Sequence, residues 1–181
     1  VVLHEVKYLT DVRGFTLTQA SGALGATVAV SMIGRIGFGV LGDYVEKRYI
    51  MIACILLQGL GIYILSIATT MSQVWLFVFV YGIAYGGAIP VYSAMVGEYF
   101  GREKFATIRG FMQLFQIPTT IVGPVFAGWV YDTTGGYQSA FMTFIVALVV
   151  GSVFLFFARR PGPPIGTGQT PAPSAGVPSR G

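Results

Sequence analysis

The sequence predicts an all-α membrane protein, and three observations carry that prediction. Hydrophobic residues make up 54% of the 181 residues and charged residues only 10%, where a soluble domain carries about 25% charged residues. Mean hydropathy is +0.72, which leaves too little polar surface for a soluble globule. Five apolar runs, 18–41, 50–68, 74–96, 110–131 and 140–158, have the length of about 20 residues that crosses a bilayer as a helix. A β-barrel would instead alternate with period two, and the stretch 141–150, Phe-Met-Thr-Phe-Ile-Val-Ala-Leu-Val-Val, does not. The chain is basic, with net charge +4, but its Lys and Arg are scattered rather than gathered into a patch, so nucleic acid is not an expected partner. The single cysteine, Cys54, excludes an internal disulfide, and without asparagine there is no N-glycosylation acceptor.

Taken in order, residues 1–10 read as the tail of an element whose start is absent, with His4, Glu5 and Lys7 where a helix leaves the membrane. No signal peptide opens the chain, and a fragment cut inside an earlier helix is expected. The first, third and fourth runs contain glycines and prolines, which membrane helices tolerate better than soluble ones. The third run holds Gly82 and Gly86, a G-x-x-x-G pair suited to close helix contact, and Pro90 as a bend. Pro118 and Pro124 in the fourth run are candidates either for a helix break that exposes backbone groups to a cavity or for passive kinks. Trp75 and Trp129 lie near run ends and read as interfacial anchors. Arg159 and Arg160 stop the last run. Residues 1–158 are thus expected to form a transmembrane helix bundle. Residues 159–181, rich in Pro, Gly, Ser and Thr from Pro161 on, are expected to be a disordered cytoplasmic tail.

Basic residues in short loops set orientation. One side holds Lys47, Arg48, Arg102, Lys104, Arg109, Arg159, Arg160 and Arg180; the other holds only Lys7 and Arg13. The tail and the loops at Lys47 and Lys104 are therefore expected in the cytoplasm of a plasma (inner) membrane protein. The loops at Asp11, Ser72 and Asp132 are expected outside.

The loop between the first two runs reads Gly39-Val-Leu-Gly-Asp-Tyr-Val-Glu-Lys-Arg48. It resembles the signature loop of the major facilitator superfamily, G-x-L-(small)-D-R-x-G-R-R, in Gly39, Leu41, Gly42, Asp43, Lys47 and Arg48. Tyr44 and Glu46 depart from it. Small residues let a neighbouring helix approach, and an Asp at a helix end can accept from free N–H groups on another helix. The resemblance implies a cytoplasmic latch formed by Gly39, Asp43, Lys47 and Arg48 that opens during transport; the plain alternative is a positive-inside loop with a capping Asp. Residues 4–15, 101–110 and 128–137 are similar to the outer end of the seventh helix, the loop between the tenth and eleventh, and the end of the eleventh in carboxylate-type members. The implied fold is the C-terminal six-helix half of a twelve-helix major facilitator bundle: the end of helix seven plus helices eight to twelve. The nearest branch in resemblance is that of the monocarboxylate transporters and oxalate–formate antiporters.

Arg35 is the most informative single residue. It lies about 12 Å inside the cytoplasmic helix end at Asp43, where a charge is costly and usually faces a water-filled cavity or a partner. Its guanidinium fork suits a carboxylate, and the resemblance places it where monocarboxylate transporters bind substrate. The alternative is snorkelling toward the interface. Two departures qualify the resemblance. Ser31 stands where those transporters carry an aspartate implicated in proton coupling. The eleventh helix offers Gln113 and Gln116 where oxalate–formate antiporters carry a lysine. One buried cation fits a monoanion better than a dianion. With no acid inside any complete run, proton coupling would use the missing half or His4 or Glu5 near the outer end, or be absent. Tyr81 and Tyr85, four apart, share a helical face; they read as a cavity wall, with plain packing the alternative, and Tyr85 lies near an aromatic position linked to selectivity in the relatives.

The expected function is secondary transport of a small organic anion, a monocarboxylate, by alternating access, as symport or antiport. Arg35, Tyr81, Tyr85 and Gln113 would bind substrate, with the bilayer and the missing N-terminal half as partners. Alternatives are an exporter of a drug, sugar or other amphiphile, and a non-transporting membrane sensor or assembly protein that reuses the fold. No metal-ligand cluster, phosphate loop or nucleophile–base arrangement is present in the sequence, so neither a cofactor nor enzymatic activity is expected.

Overall fold

The computed structural model describes residues 2–157, without the side chains of residues 2–4, 102, 103 and 119. The expected tail, 159–181, lies outside the described residues. Among the described residues every regular element is helical. A short helix α1 (Val2–Lys7) runs into a π-helical turn (Tyr8–Val12). Gly14, at φ 72°, turns the chain in a conformation that glycine adopts without steric cost. Thr16 and Gln19 then form a reciprocal capping box that starts α2 (Leu17–Tyr44) and satisfies two otherwise orphaned N–H groups. After a two-residue connection comes α3 (Lys47–Ile67). At the next turn the Gln73 side-chain oxygen accepts from the Thr69 and Thr70 N–H groups at 2.7 and 3.2 Å.

Helical structure then continues from Met71 to Thr134. Gly101, with φ 76° and ψ 165°, breaks the helical path and divides it into two spans, α4 (Met71–Gly101) and α5 (Lys104–Thr134). Gly135 in the left-handed region caps α5, its N–H donating to the Tyr131 carbonyl at 2.8 Å, and α6 (Gln138–Phe157) follows. Helices α2 to α6 are each long and apolar enough to cross a membrane, which matches the five runs. The boundaries differ at one place. The sequence predicts a loop over 97–109, but Lys104 and Arg109 lie in α5 and Glu98 in α4. Charge marks where a helix meets the membrane surface rather than where it ends, and long straight side chains lose little freedom in a helix. Of the two readings of Pro118 and Pro124, the helix break is not found. Both lie inside the helix, as does Pro90, and Gly101 alone in this stretch has non-helical dihedrals; local adjustment satisfies the carbonyls that proline frees in membrane helices.

Small residues set the packing. A Cβ at Gly86 would stand 1.9 Å from the Ser31 carbonyl oxygen, and one at Gly34 would stand 2.2 Å from that of Ile83. Helices α2 and α4 therefore touch backbone to backbone, and the Gly82–Gly86 pair makes the close contact its spacing predicts. Gly61 does the same for α3, where a Cβ would meet the Tyr81 Cβ at 2.7 Å. The main core joins Tyr8, Leu9, Leu65, Val74, Phe77, Tyr137 and Phe141, at the end of the bundle opposite Lys47 and Arg48. Phe111, Leu114, Phe115, Ile121 and Val125 leave one side of α5 largely exposed.

Candidate functional site

The predicted latch residues lie at the α2–α3 junction. Lys47, first residue of α3, forms an ion pair with Glu98 near the end of α4. Each charge alone opposes its helix dipole, a cation at an N-terminus and an anion near a C-terminus, so the pair offsets two unfavourable placements. Arg48 lies 5.2 Å from the Tyr49 ring centroid and 5.8 Å from that of Phe156 on α6. Asp43 is exposed and makes no hydrogen bond or ion pair with a described residue. Gly39 borders open space. On the same side of the bundle Arg109 of α5 donates to the Ser93 hydroxyl of α4 and lies over the Tyr92 and Phe105 rings at 5.9 and 5.8 Å.

Deeper in the bundle, Arg35 is exposed on α2. It has no hydrogen bond, ion pair or ring contact among the described residues. Its neighbours in sequence hold the α2–α4 seam: Gly34 meets Ile83, and Phe38 covers Gly87. Tyr81 and Tyr85 come together, their rings stacked at 5.8 Å and 9°. Tyr81 stacks in turn on Phe77 at 5.2 Å and is 6% exposed, whereas Tyr85 is 39% exposed. Tyr81 is thus chiefly a packing residue, and Tyr85 presents the open end of the aromatic stack. Gln113 and Gln116 lie on the exposed side of α5 and touch none of these residues. A separate cavity of about 410 Å³, between α3, α4, α5 and α6, is lined by Met51, Tyr92, Met95, Tyr99, Met112 and Leu155 among others and holds none of the predicted site residues.

Two polar constellations carry signals that sequence reasoning missed or read differently. At the C-terminal end of α3, Tyr8 donates to the Leu65 carbonyl at 3.2 Å, and Arg13 donates to the Tyr8 hydroxyl at 2.7 Å and to the Ser66 carbonyl. This places a cation on the C-terminal carbonyls of α3, where the dipole favours it. Burial, with Tyr131, Asp11 and Asp132 nearby, raises the Tyr137 phenol above its ordinary range, so it stays neutral beside this clamp. The second constellation is Glu5. The sequence places it at the outer rim; the structure buries it to 1% exposure against Thr27 of α2. Its signal was an acid directly ahead of Val6, Tyr8 and Leu9, all packed in the bundle. Among the described residues no group of His, Cys, Asp and Glu could hold a metal ion.

Residues 5–179 match the family model described as Major Facilitator Superfamily. Monocarboxylate transporter 12 of Mus musculus is 26% identical over 150 residues, 81% of this chain and 31% of the relative. Monocarboxylate transporter 12-B of Danio rerio is 28% identical over 155 residues, 83% of this chain and 32% of the relative. The hexuronate transporter of Bacillus subtilis (strain 168) is 26% identical over 175 residues, 88% of this chain and 41% of the relative. The chain spans about a third of the length of the curated relatives it matches.

Proposed function

From a chain that belongs to the major facilitator superfamily, we propose a secondary transporter of small organic anions that carry one carboxylate. These residues form its C-terminal half, and a second six-helix half completes the cavity. The names of the relatives, monocarboxylate and hexuronate transporters, share one chemical feature, a single carboxylate per molecule. The observation that carries the reading is Arg35. It is a permanent cation inside a membrane span, exposed on the bundle and unpaired among the described residues, beside the seam where α2 and α4 meet. An intramembrane arginine normally pairs or lines a wet cavity, and its planar fork matches a carboxylate. Tyr85, with its open ring face and hydroxyl, and Gln113 on the exposed side of α5 complete the substrate contacts; Tyr81 backs Tyr85. The Lys47–Glu98 pair, with Arg48 packed on α6 and Asp43 free for the missing half, forms the cytoplasmic latch.

The test uses the full-length protein in liposomes. Counterflow of labelled lactate, formate, glucuronate and oxalate is followed for wild type and Arg35→Gln. Wild type exchanges the three single-carboxylate probes more readily than oxalate. Arg35→Gln, with its thermal transition unchanged, loses that exchange. If the variant exchanges as well as wild type, Arg35 snorkels and the site is misplaced. If wild type exchanges none of the four, the cargo is not a small carboxylate and amphiphile export becomes the reading to test.

A further inference from the structure

We propose that Glu5 is a proton-binding site within the membrane, occupied while α1 packs against α2 and emptied when the two part. The argument begins with hydrogen-bond capacity. An ionised carboxylate is an acceptor only, with room for about four hydrogen bonds, whereas a protonated one has a donor to place. Glu5 is 1% exposed, and its one polar contact among the described residues is Oε1 to the Thr27 hydroxyl at 3.3 Å. Its Oε2 is buried with no partner among the described residues. The Thr27 hydroxyl has one proton, and its shorter contact, 2.9 Å, is donation to the Ala23 carbonyl. That leaves the Thr27 oxygen able to accept. A protonated Glu5 donates into it and the contact is satisfied; an ionised Glu5 faces an oxygen whose proton is already placed.

Depth gives the second half. Thr27 lies about 15 Å along α2 from its outer start at Leu17, well into the hydrocarbon zone of a bilayer whose core is about 30 Å thick. A carboxylate there needs a cation, and among the described side chains none faces it. On its own element the cation among the described side chains is Lys7, two positions on and therefore on another side of the helix. The Lys7 ammonium lies over the Tyr131 ring of α5 at 5.2 Å. On α2 the facing groups are Thr27 and Ser31, and the first cation, Arg35, is about 12 Å beyond Thr27. On α4 the facing titratable group is Tyr81, acidic rather than basic. Toward α3 and α6 the neighbour is Tyr8, bonded to Leu65 and stacked edge-on against Phe141. The packed arrangement therefore holds the neutral acid. Separation of α1 from α2 admits water, which favours the ion, so higher pH favours the parted state and lower pH the packed one. Coupling of that proton to cargo rests on the transporter reading above; the proton site itself does not.

The experiment is done on the full-length protein with two readouts. Infrared titration of the purified wild type shows a protonated-carboxyl C=O band that disappears as pH rises and is missing in Glu5→Gln. Gln copies the neutral acid in shape and can donate to Thr27, so the variant folds. Glu5→Asp keeps a titrating band at shifted pH. In liposomes wild type accumulates labelled lactate against its gradient when the proton gradient is imposed. Glu5→Gln still exchanges lactate but no longer accumulates it, and its exchange is flat with pH. A band unchanged in Glu5→Gln overturns the proton site. Lactate counterflow in wild type without proton-driven accumulation overturns the coupling and leaves the carboxylate reading standing. A titrating Glu5 band in a protein that exchanges no carboxylate upholds the site and removes the cargo.

Discussion

A methyl group added at position 86 has no room: its carbon would stand 1.9 Å from the Ser31 carbonyl oxygen and 2.6 Å from the carbonyl carbon. Both are backbone atoms of α2, which cannot turn aside without unwinding the helix. Gly86→Ala is expected to lower the thermal stability of the full-length protein by about 1–3 kcal/mol, the usual cost of overpacking. Gly151→Ala on α6 is its control. A Cβ there meets nothing within 4 Å, so the change gains helix propensity of up to about 1 kcal/mol. Thermal unfolding in detergent checks the pair, and equal transitions for Gly86→Ala and wild type would mean that α2 and α4 are not in backbone contact. At this scale legibility was uneven. Gly82 and Gly86 announce themselves by spacing. Gly34 and Gly61 do not, because in a chain with 25 glycines an isolated one carries no local signal, and only the partner helix reveals it. Tyr81 and Tyr85 were rightly put on one face, but which of the two the bundle buries depends on Gly61 and Phe77, contacts that no periodicity encodes. Glu5 was read as a rim residue because its depth is set by the register of α1 against α2, a tertiary property.

The elements themselves were legible wherever hydrophobicity alone decides them, and less so at their ends. Capping chemistry at Thr16 fixes the start of α2, yet the hydropathy of the runs stops short of the true ends of α4 and α5. Between those two the polar stretch looks like a loop and is almost wholly helical, with one glycine turning the path. The Lys47–Glu98 pair joins the elements that flank it, and its energetics can be separated from its role. Both side chains are partly exposed, so the pair contributes within about 1 kcal/mol to stability. Glu98→Lys sets two cations together and is expected to lower the unfolding midpoint. Adding Lys47→Glu restores it, and now each charge suits its dipole, an anion at the start of α3 and a cation near the end of α4. Unfolding midpoints of the two singles and the double check this, and a double variant no more stable than the worse single would show that the pair has no direct coupling. If the pair also latches the cytoplasmic side, lactate counterflow recovers in the double in step with stability.

At the scale of the whole molecule, the class, the five spans and the superfamily were all within reach of the sequence, because a bilayer restricts a spanning chain to a few solutions and the loop at 39–48 is specific. What the bundle does with its open side was not, since one face of α5 is left exposed and the cation at Arg35 meets no partner among the described residues. The charge bias makes a definite forecast of topology. Cytoplasmic loops retain Lys and Arg because translocating them is disfavoured, and Lys47, Arg48, Lys104 and Arg109 all lie at one end of the bundle. In a Cys54→Ala background, single cysteines at Ser72 and Asp132 are expected to react with an impermeant maleimide in intact cells. One at Glu46 is expected to react only after permeabilisation. All three positions are exposed, so access is decided by the side of the membrane rather than by burial, and the native Cys54 is buried in α3. Labelling of Glu46→Cys in intact cells, with Ser72→Cys protected, would invert the bundle. The Lys47–Glu98 latch would then close the outer mouth, and Glu5 would exchange its proton with the cytoplasm.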